Sequence, residues 1–354
     1  MARPVMFDAL AARFGGGAYA AVQLSRHLAV HPSVAELVVV TRAGSIVERG
    51  LAQADGVRLV VLAPARRGEL VRRLAWEAAR LGPLARSERC AAVLTMAGLP
   101  ARIRSSAVVC LLGNPVMYER GGVANRLRRA SARRTARDAH WVAAPSRLMA
   151  DLVTASAGRE CAVLPWGVDH DLFAPPPQPG SEILCVGDFY AHKRHDLLLA
   201  AWSRLPEPRP RLRLIGDPGV DEQTYSRLRA SIAALPEPAS VALDGRVPLA
   251  ELVSAYRAAR VFVMASEHES FCMPLAEAMA CGVPAVARDS ASLRDTAGAG
   301  AVYVTGDDPG PWADAIARLT GNDGEHAHMR AAAIEAAARF SWEACADAVA
   351  QKLP

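Results

Sequence analysis

The chain runs to 354 residues, 51% of them apolar, with a mean hydropathy only slightly above zero, which exceeds one ordinary core and suits two lobes of roughly 150–180 residues each. No stretch approaches the roughly 18–20 uninterrupted apolar residues of a spanning helix, and "MARPVMFDAL" lacks the long apolar core and small-residue cleavage site of a secretory signal, so a cytoplasmic chain is expected. The net charge of +5 hides an asymmetry, with roughly +13 on residues 1–165 and roughly −8 on the remainder, almost all of the positive charge being arginine.

In chain order, the first half presents short apolar, β-branched runs at Pro4–Asp8, Leu37–Thr41, Val57–Leu62, Ala92–Thr95, Val108–Leu112, Trp141–Ala144 and Ala162–Leu164. Helix-length stretches such as "AYAAVQLSRHLAVH" and "RLRRASARRTARDA" separate them. Gly15, Gly16 and Gly17 follow the first strand and open a helix. Glycine lets backbone approach a ligand closely. The order Gly-x-Gly-x-x-Gly and a ribose-binding acid about 20 residues on are missing, however, so a purely structural turn stays open.

The second half repeats the plan with "EILCVG", "RLRLIG", "SVALDG", "RVFVMAS", "VPAVA" and "AVYVT". Alternation of this kind predicts parallel sheets with right-handed crossovers, an α/β protein. Its restart near residue 181 predicts two doubly wound lobes with a cleft between them and ligands beyond the strand carboxyl ends. The boundaries follow as a first lobe over residues 1–168, a linker over 169–180, a second lobe over 181–336 and a closing helix within 337–354. The linker holds "FAPPPQPGS", whose four prolines and glycine continue neither helix nor strand. The closing helix has Ser341 as N-cap, two residues before Glu343. Seven cysteines, odd in number and without a Cys-x-x-Cys pair, sit mostly in apolar runs and read as buried reduced thiols.

The densest chemistry lies in "SEHESFCMPLAEAMACGVPAVA", Ser266–Ala287. A strand ends, a loop carries Glu267, His268 and Glu269, and a helix begins near Pro274 and stops at Gly282, where proline suits the first turn and glycine the C-terminus. Amides around Ser270–Met273 then leave a helix N-terminus at a strand carboxyl end, an anion site by dipole and geometry. Glu269 and Glu277, eight positions apart, flank that turn. Pointed at a phosphate they would repel it. Two readings fit the residues alone: acceptors for sugar and ribose hydroxyls, or a dipole-compensating glutamate beside a solvated one. Only two lysines occur, Lys193 and Lys352, so an internal lysine in this arginine-rich chain stands out.

A glutamate, seven residues and a second glutamate followed by "AMACGVPAVA" resembles the donor-site motif of the retaining glycosyltransferases of family 4. "FDALAARFGGGAYAAVQLSRHL", "VLPWGVDHDLFAP", "ILCVGDFYAHKRHDLLLAAW", "LIGD", "LDGRVPLAELVSAYRAARVFVMAS" and "RFSWE" follow in that family's order, so the likeness covers nearly the whole chain. It implies the GT-B fold, two Rossmann-like lobes with a C-terminal helix returning to the first. It also implies a retaining transferase that moves a sugar from a nucleotide-diphosphate donor to a hydroxyl acceptor of a surface glycan, lipid-linked or natural-product kind.

By position, Glu269 would contact the transferred sugar, Lys193 the diphosphate, and Glu277 the donor ribose. The donor site would further include Ser270, Phe271, Cys272, Met273, Arg194, Gly187, Arg246 and Val247, with Gly16 and Gly17 facing the donor phosphate and acceptor from the first lobe. Asn114 and His268 fall on the acceptor side. GT-B enzymes use helix dipoles and cations where others use a metal, so neither metal nor other cofactor is expected, and the histidines show no metal-ligand spacing.

The chain departs from the family in several places. Asp188 stands where an arginine commonly pairs with the lysine, so either Asp188 turns away or Arg194 supplies the charge. Trp166 replaces the asparagine of Pro-Asn-Gly-Val-Asp, Gly113 replaces the histidine or glutamine before Asn114, and Ser270 and Cys272 replace glycines. The basic helices of the first lobe read as a solvated face, as a surface for anionic lipid at the inner membrane face, or as an attractor of an anionic acceptor. Nucleic acid is not expected, since no aromatic residues interleave with the charge. Competing functions are a GT-B nucleotide-sugar epimerase, a non-catalytic partner subunit and, more distantly, a nicotinamide dehydrogenase that would need the missing dinucleotide fingerprint.

Overall fold

The computed structural model describes residues 2–13, 15–64, 68–119 and 121–354. They fall into two compact units, Met1–Gly167 with Ser341–Pro354, and Val168–Phe340. In the first unit, strands β1 (Arg3–Asp8), β2 (Val34–Arg42), β3 (Val57–Leu62), β4 (Ala92–Thr95), β5 (Ala107–Leu111), β6 (Trp141–Ala144) and β7 (Ala162–Val163) form one sheet in the order β3-β2-β1-β4-β5-β6-β7. In the second, β8 (Glu182–Val186), β9 (Leu212–Ile215), β10 (Val241–Asp244), β11 (Ala259–Met264), β12 (Ala285–Arg288) and β13 (Ala301–Val304) form a sheet in the order β10-β9-β8-β11-β12-β13. All neighbouring strands are parallel. All thirteen apolar runs are strands, and the α/β expectation holds.

The strands read as unbroken apolar runs because helices cover both faces of each sheet. Val5, Met6 and Phe7 of β1 and Val261, Phe262 and Val263 of β11 are buried on both sides. In the second unit Trp202 and Trp312 fill the layer beneath the helices, and each indole N–H finds a carbonyl, of Pro210 at 2.8 Å and Gly306 at 3.1 Å. A buried indole without such a partner would be costly.

In each sheet the winding direction reverses between its first and fourth strands, β1 and β4 in one, β8 and β11 in the other. Open α/β sheets receive ligands at the carboxyl ends of the strands at this point. The proline-rich segment is laid against the second unit: Phe173 is buried, and Ser181 N–H donates to the Ala258 carbonyl. Gly180 has no alternative, since a Cβ there would lie 1.9 Å from the Ala258 oxygen. The helix Trp342–Ala350 belongs to the first unit, with Ser341 accepting from Ala344 N–H and Trp342 packed 6.4 Å from the Tyr19 ring.

Candidate functional site

Two loops leave the carboxyl ends of the adjacent strands β8 and β11 and close on each other. Glu267 N–H donates to the His192 carbonyl at 2.9 Å, and the His192 and His268 rings stand 6.0 Å apart. Lys193 Nζ donates to Glu269 Oε1 at 2.5 Å, with both side chains mostly enclosed. Burial by itself would favour the neutral amine, but the Glu269 carboxylate outweighs it and holds Lys193 protonated above the ordinary lysine range. The lysine stem lies over Gly187, where a Cβ would be in ordinary contact with it, 3.6 Å from Cδ and 3.8 Å from Nζ. Behind it His195 is buried on Phe189, and burial first, then the Lys193 charge, lowers its pKa to about 4. It is a neutral core histidine.

The helix Met273–Ala280 begins where β11's loop ends, with a proline in its first turn and no side chain capping its N-terminus. Leu275 and Ala276 amides turn back to the Cys272 carbonyl. The amides of Cys272 and Met273 have no hydrogen-bond partner among the described residues, which leaves them at the helix mouth as donors for an anion. Phe271 buries its ring on Phe340, 5.0 Å away, and its carbonyl accepts from the Thr296 hydroxyl. Ser270 is half-buried. Cys272 is buried with φ 62° and ψ 68°, a left-handed conformation that disfavours any residue with a Cβ. Burial, then the Glu269 carboxylate, raises its thiol pKa. Arg194, at φ 54°, is the second left-handed non-glycine residue of this unit among the described residues. Both flank the Lys193–Glu269 pair, and such strain gathers where surrounding structure fixes a site. Glu277 is buried on the helix's inner face and accepts from the Tyr256 hydroxyl at 2.8 Å.

The departure at Asp188, and the question whether Arg194 supplies the charge, have a structural account. Asp188 Oδ1 accepts from Asp217 N–H at 3.1 Å, so this acid closes the turn after β9. Arg194 does not supply a free charge: its guanidinium meets Asp196 at 3.3 Å, Glu267 at 3.0 Å and Asp307 at 2.7 Å. Arg246, in the loop after β10, pairs with Asp217 at 2.7 Å, and Val247 beside it is half-buried.

Gly16, Gly17 and Asn114 lie in the first unit. Gly16 and Gly17 start the helix Gly15–Ala29, with open space where a Gly17 side chain would stand, and Asn114 is exposed just beyond β5. Gly113 and Trp166, two of the departures, prove to be one feature. A Cβ on Gly113 would lie 2.8 Å from the Trp166 ring, which fills the place of the missing side chain.

The first unit also holds an ionic cluster that the sequence did not announce. Asp8, at the end of β1, is buried with Glu77, and Arg42–Glu69 and Arg73–Glu77 pair beside them at 2.5 and 3.2 Å. Burial, then the Asp8 charge, pushes Glu77 up to about 9, while Arg73 and Arg42 pull it the other way. Among the described residues no group of three or more His, Cys, Asp or Glu side chains is placed to hold a metal ion, and no helix is long and apolar enough to cross a membrane.

The model of the family described as glycosyl transferases group 1 matches residues 174–339, nearly the whole of the second unit. The second unit is a group 1 glycosyltransferase domain. Among curated relatives, the D-inositol 3-phosphate glycosyltransferase of Thermobispora bispora is 32% identical over 226 residues, covering 58% of this chain and 53% of that protein. The enzyme of the same name from Thermobifida fusca is 34% identical over 215 residues, 54% of this chain and 49% of that one. The chain thus spans about half the length of the curated relatives it matches. Among solved structures, Anabaena Alr3699/HepE in complex with UDP and glucose matches with a TM-score of 0.80 at 19% identity over 99% of both chains. Sucrose-phosphate synthase of Thermosynechococcus elongatus matches at 0.79 and 20% identity, over 99% of this chain and 98% of that one. These likenesses show the fold, which is GT-B. The group 1 domain contains the Lys193–Glu269 pair, the helix mouth and Glu277 together.

Proposed function

We propose that the chain is a retaining glycosyltransferase whose group 1 domain holds a nucleotide-diphosphate sugar at the carboxyl ends of β8 and β11. The observation that carries this is an ammonium fixed by a glutamate beside an uncapped helix N-terminus. An ammonium has three N–H donors; Glu269 takes one, and the others are left for a diphosphate. Amides of Cys272 and Met273 add donors that need no reorganisation as charge develops. Glu269's second oxygen suits a hydroxyl of the sugar, and Glu277 suits the ribose. The names of the curated relatives and the UDP and glucose bound to the Anabaena protein support the same chemistry.

In this mechanism the bond from the anomeric carbon to the β-phosphate oxygen breaks while the acceptor oxygen bonds on the same face. The acceptor proton passes to the leaving phosphate oxygen, and Lys193 stabilises the departing charge. No protein nucleophile, metal or other cofactor takes part. Asn114 and His268 are the proposed acceptor-side residues. The exposed arginines of the helix Val123–Asp138, with Val123 and Leu127 also exposed on it, are the proposed contact with anionic lipid at the inner membrane face.

Donor turnover by the purified chain, with and without a chelator, tests this. Activity is expected to survive chelation, and Lys193→Ala or Glu269→Ala to lower kcat by about 100-fold or more with melting unchanged within a few degrees. Near-normal turnover in either variant overturns the assignment.

A further inference from the structure

We infer that Tyr256 is a positioning residue that aims the Glu277 carboxylate at the ribose of a bound nucleotide and so sets the site's preference for ribose over deoxyribose. This deepens the proposed function and rests on it.

Tyr256 sits on the helix Leu249–Ala258, fully buried, and its hydroxyl donates to Glu277 Oε2 at 2.8 Å. Its ring has little freedom. Phe173 meets it edge-on, centroids 5.7 Å apart at 81°, and Phe262 of β11 lies 6.2 Å away. Phe173 comes from the proline-rich segment, so that segment's one aromatic anchor braces the residue behind the glutamate.

A free glutamate has three rotatable bonds, and ordering it on binding costs entropy. The tyrosine removes that cost beforehand by holding one oxygen. The other, Oε1, has no hydrogen-bond partner among the described residues. Nor is it fully enclosed, so solvent reaches it. An acceptor fixed in place with one open oxygen is suited to a hydroxyl donor, and a nucleotide lacking that hydroxyl would leave it unpaired.

Charge acts in the same direction. Burial pushes Glu277 up to about 7, and the Tyr256 hydrogen bond pulls it back toward the ionised form. The other titratable groups acting on this pair are the Cys281 thiol, on which Arg257 and Arg330 also act, and the Cys272 thiol. The ionised carboxylate is the better acceptor, so nucleotide affinity should fall as pH drops through about 7. Removing the tyrosine hydroxyl should move that fall to higher pH.

The test is calorimetric titration of the full chain with UDP, GDP and ADP, each beside its 2′-deoxy and 3′-deoxy analogues. Wild type, Tyr256→Phe, Glu277→Gln and the double variant are compared across pH 5.5–8.5. For the ribonucleotide that binds, Tyr256→Phe should weaken affinity about tenfold while the weaker binding of the deoxy analogue changes less than about twofold. Its acid limb should move to higher pH, and the substitution should add nothing in the Glu277→Gln background. Equal weakening of ribo and deoxy ligands, or an undiminished effect in the double variant, overturns the inference and leaves the proposed function standing. Failure of wild type to bind any of the nucleotides removes both.

Discussion

Gly113 and Trp166 show how two departures from a family pattern become one fact at the scale of a residue. The indole occupies the volume that a side chain at position 113 would need. Gly113→His alone should cost roughly 1–3 kcal/mol through overpacking, and Trp166→Asn alone should cost a few kcal/mol by opening a cavity (~3–5 kcal/mol for the comparable loss of an aromatic). In the double variant the two costs should fall short of their sum by about 0.5–3 kcal/mol. Urea unfolding of the four proteins checks this; strict additivity would mean that the contact is not energetic. Cys272 offers a second residue-scale test. Its left-handed backbone costs roughly 1–2 kcal/mol that glycine does not bear. Cys272→Gly should therefore raise the melting temperature while emptying the space its thiol holds beside Lys193 and Glu269.

At the scale of elements, the site is made by loops rather than by the strands that carry them. β8 and β11 are neighbours in parallel register, Phe262 opposite Leu184, and this adjacency brings residues 193 and 269 within 2.5 Å. The long basic element of the first unit makes a different use of charge. Helix Glu69–Trp76 passes through a π-turn, Glu77–Leu81, into helix Gly82–Ser87, and Glu77 faces Asp8 from the start of that turn. Its folded pKa of about 9 lies above the unfolded 4.5. The folded state therefore binds the extra proton between those values, and stability should decline as pH rises from about 4.5 toward 9. Glu77→Gln removes the titration while keeping the shape. Its melting temperature should match wild type near pH 5 and exceed it by pH 8.5. Parallel pH profiles for the two proteins would show that Glu77 is ionised in the fold.

For the whole molecule, two parallel sheets repeat one winding plan, yet their strand carboxyl ends are furnished differently. The second unit gathers an ammonium, free amides and two glutamates; the first gathers glycines and a buried ionic cluster. Hydrogen exchange should register this division. A nucleoside diphosphate should slow exchange at the backbone around residues 187–194 and 266–276, and leave the amino-terminal ends of the same strands unchanged. Protection spread evenly over both ends of the second sheet would contradict a site at the carboxyl edge.

Much of this was readable from residue order, because apolar runs of strand length bounded by glycine, and helices with proper caps, are local facts. That is why all thirteen strands, the helix start near Pro274 and its stop at Gly282 are visible without coordinates. The pair Lys193–Glu269 was legible only as two residues with compatible chemistry. What needed three dimensions was every contact between distant segments: Asp188 turning to the Asp217 amide, Arg194 consumed by three carboxylates, Tyr256 behind Glu277, Glu77 against Asp8. Each depends on burial and on which strands become neighbours. Those are properties of packing, which a local pattern does not encode.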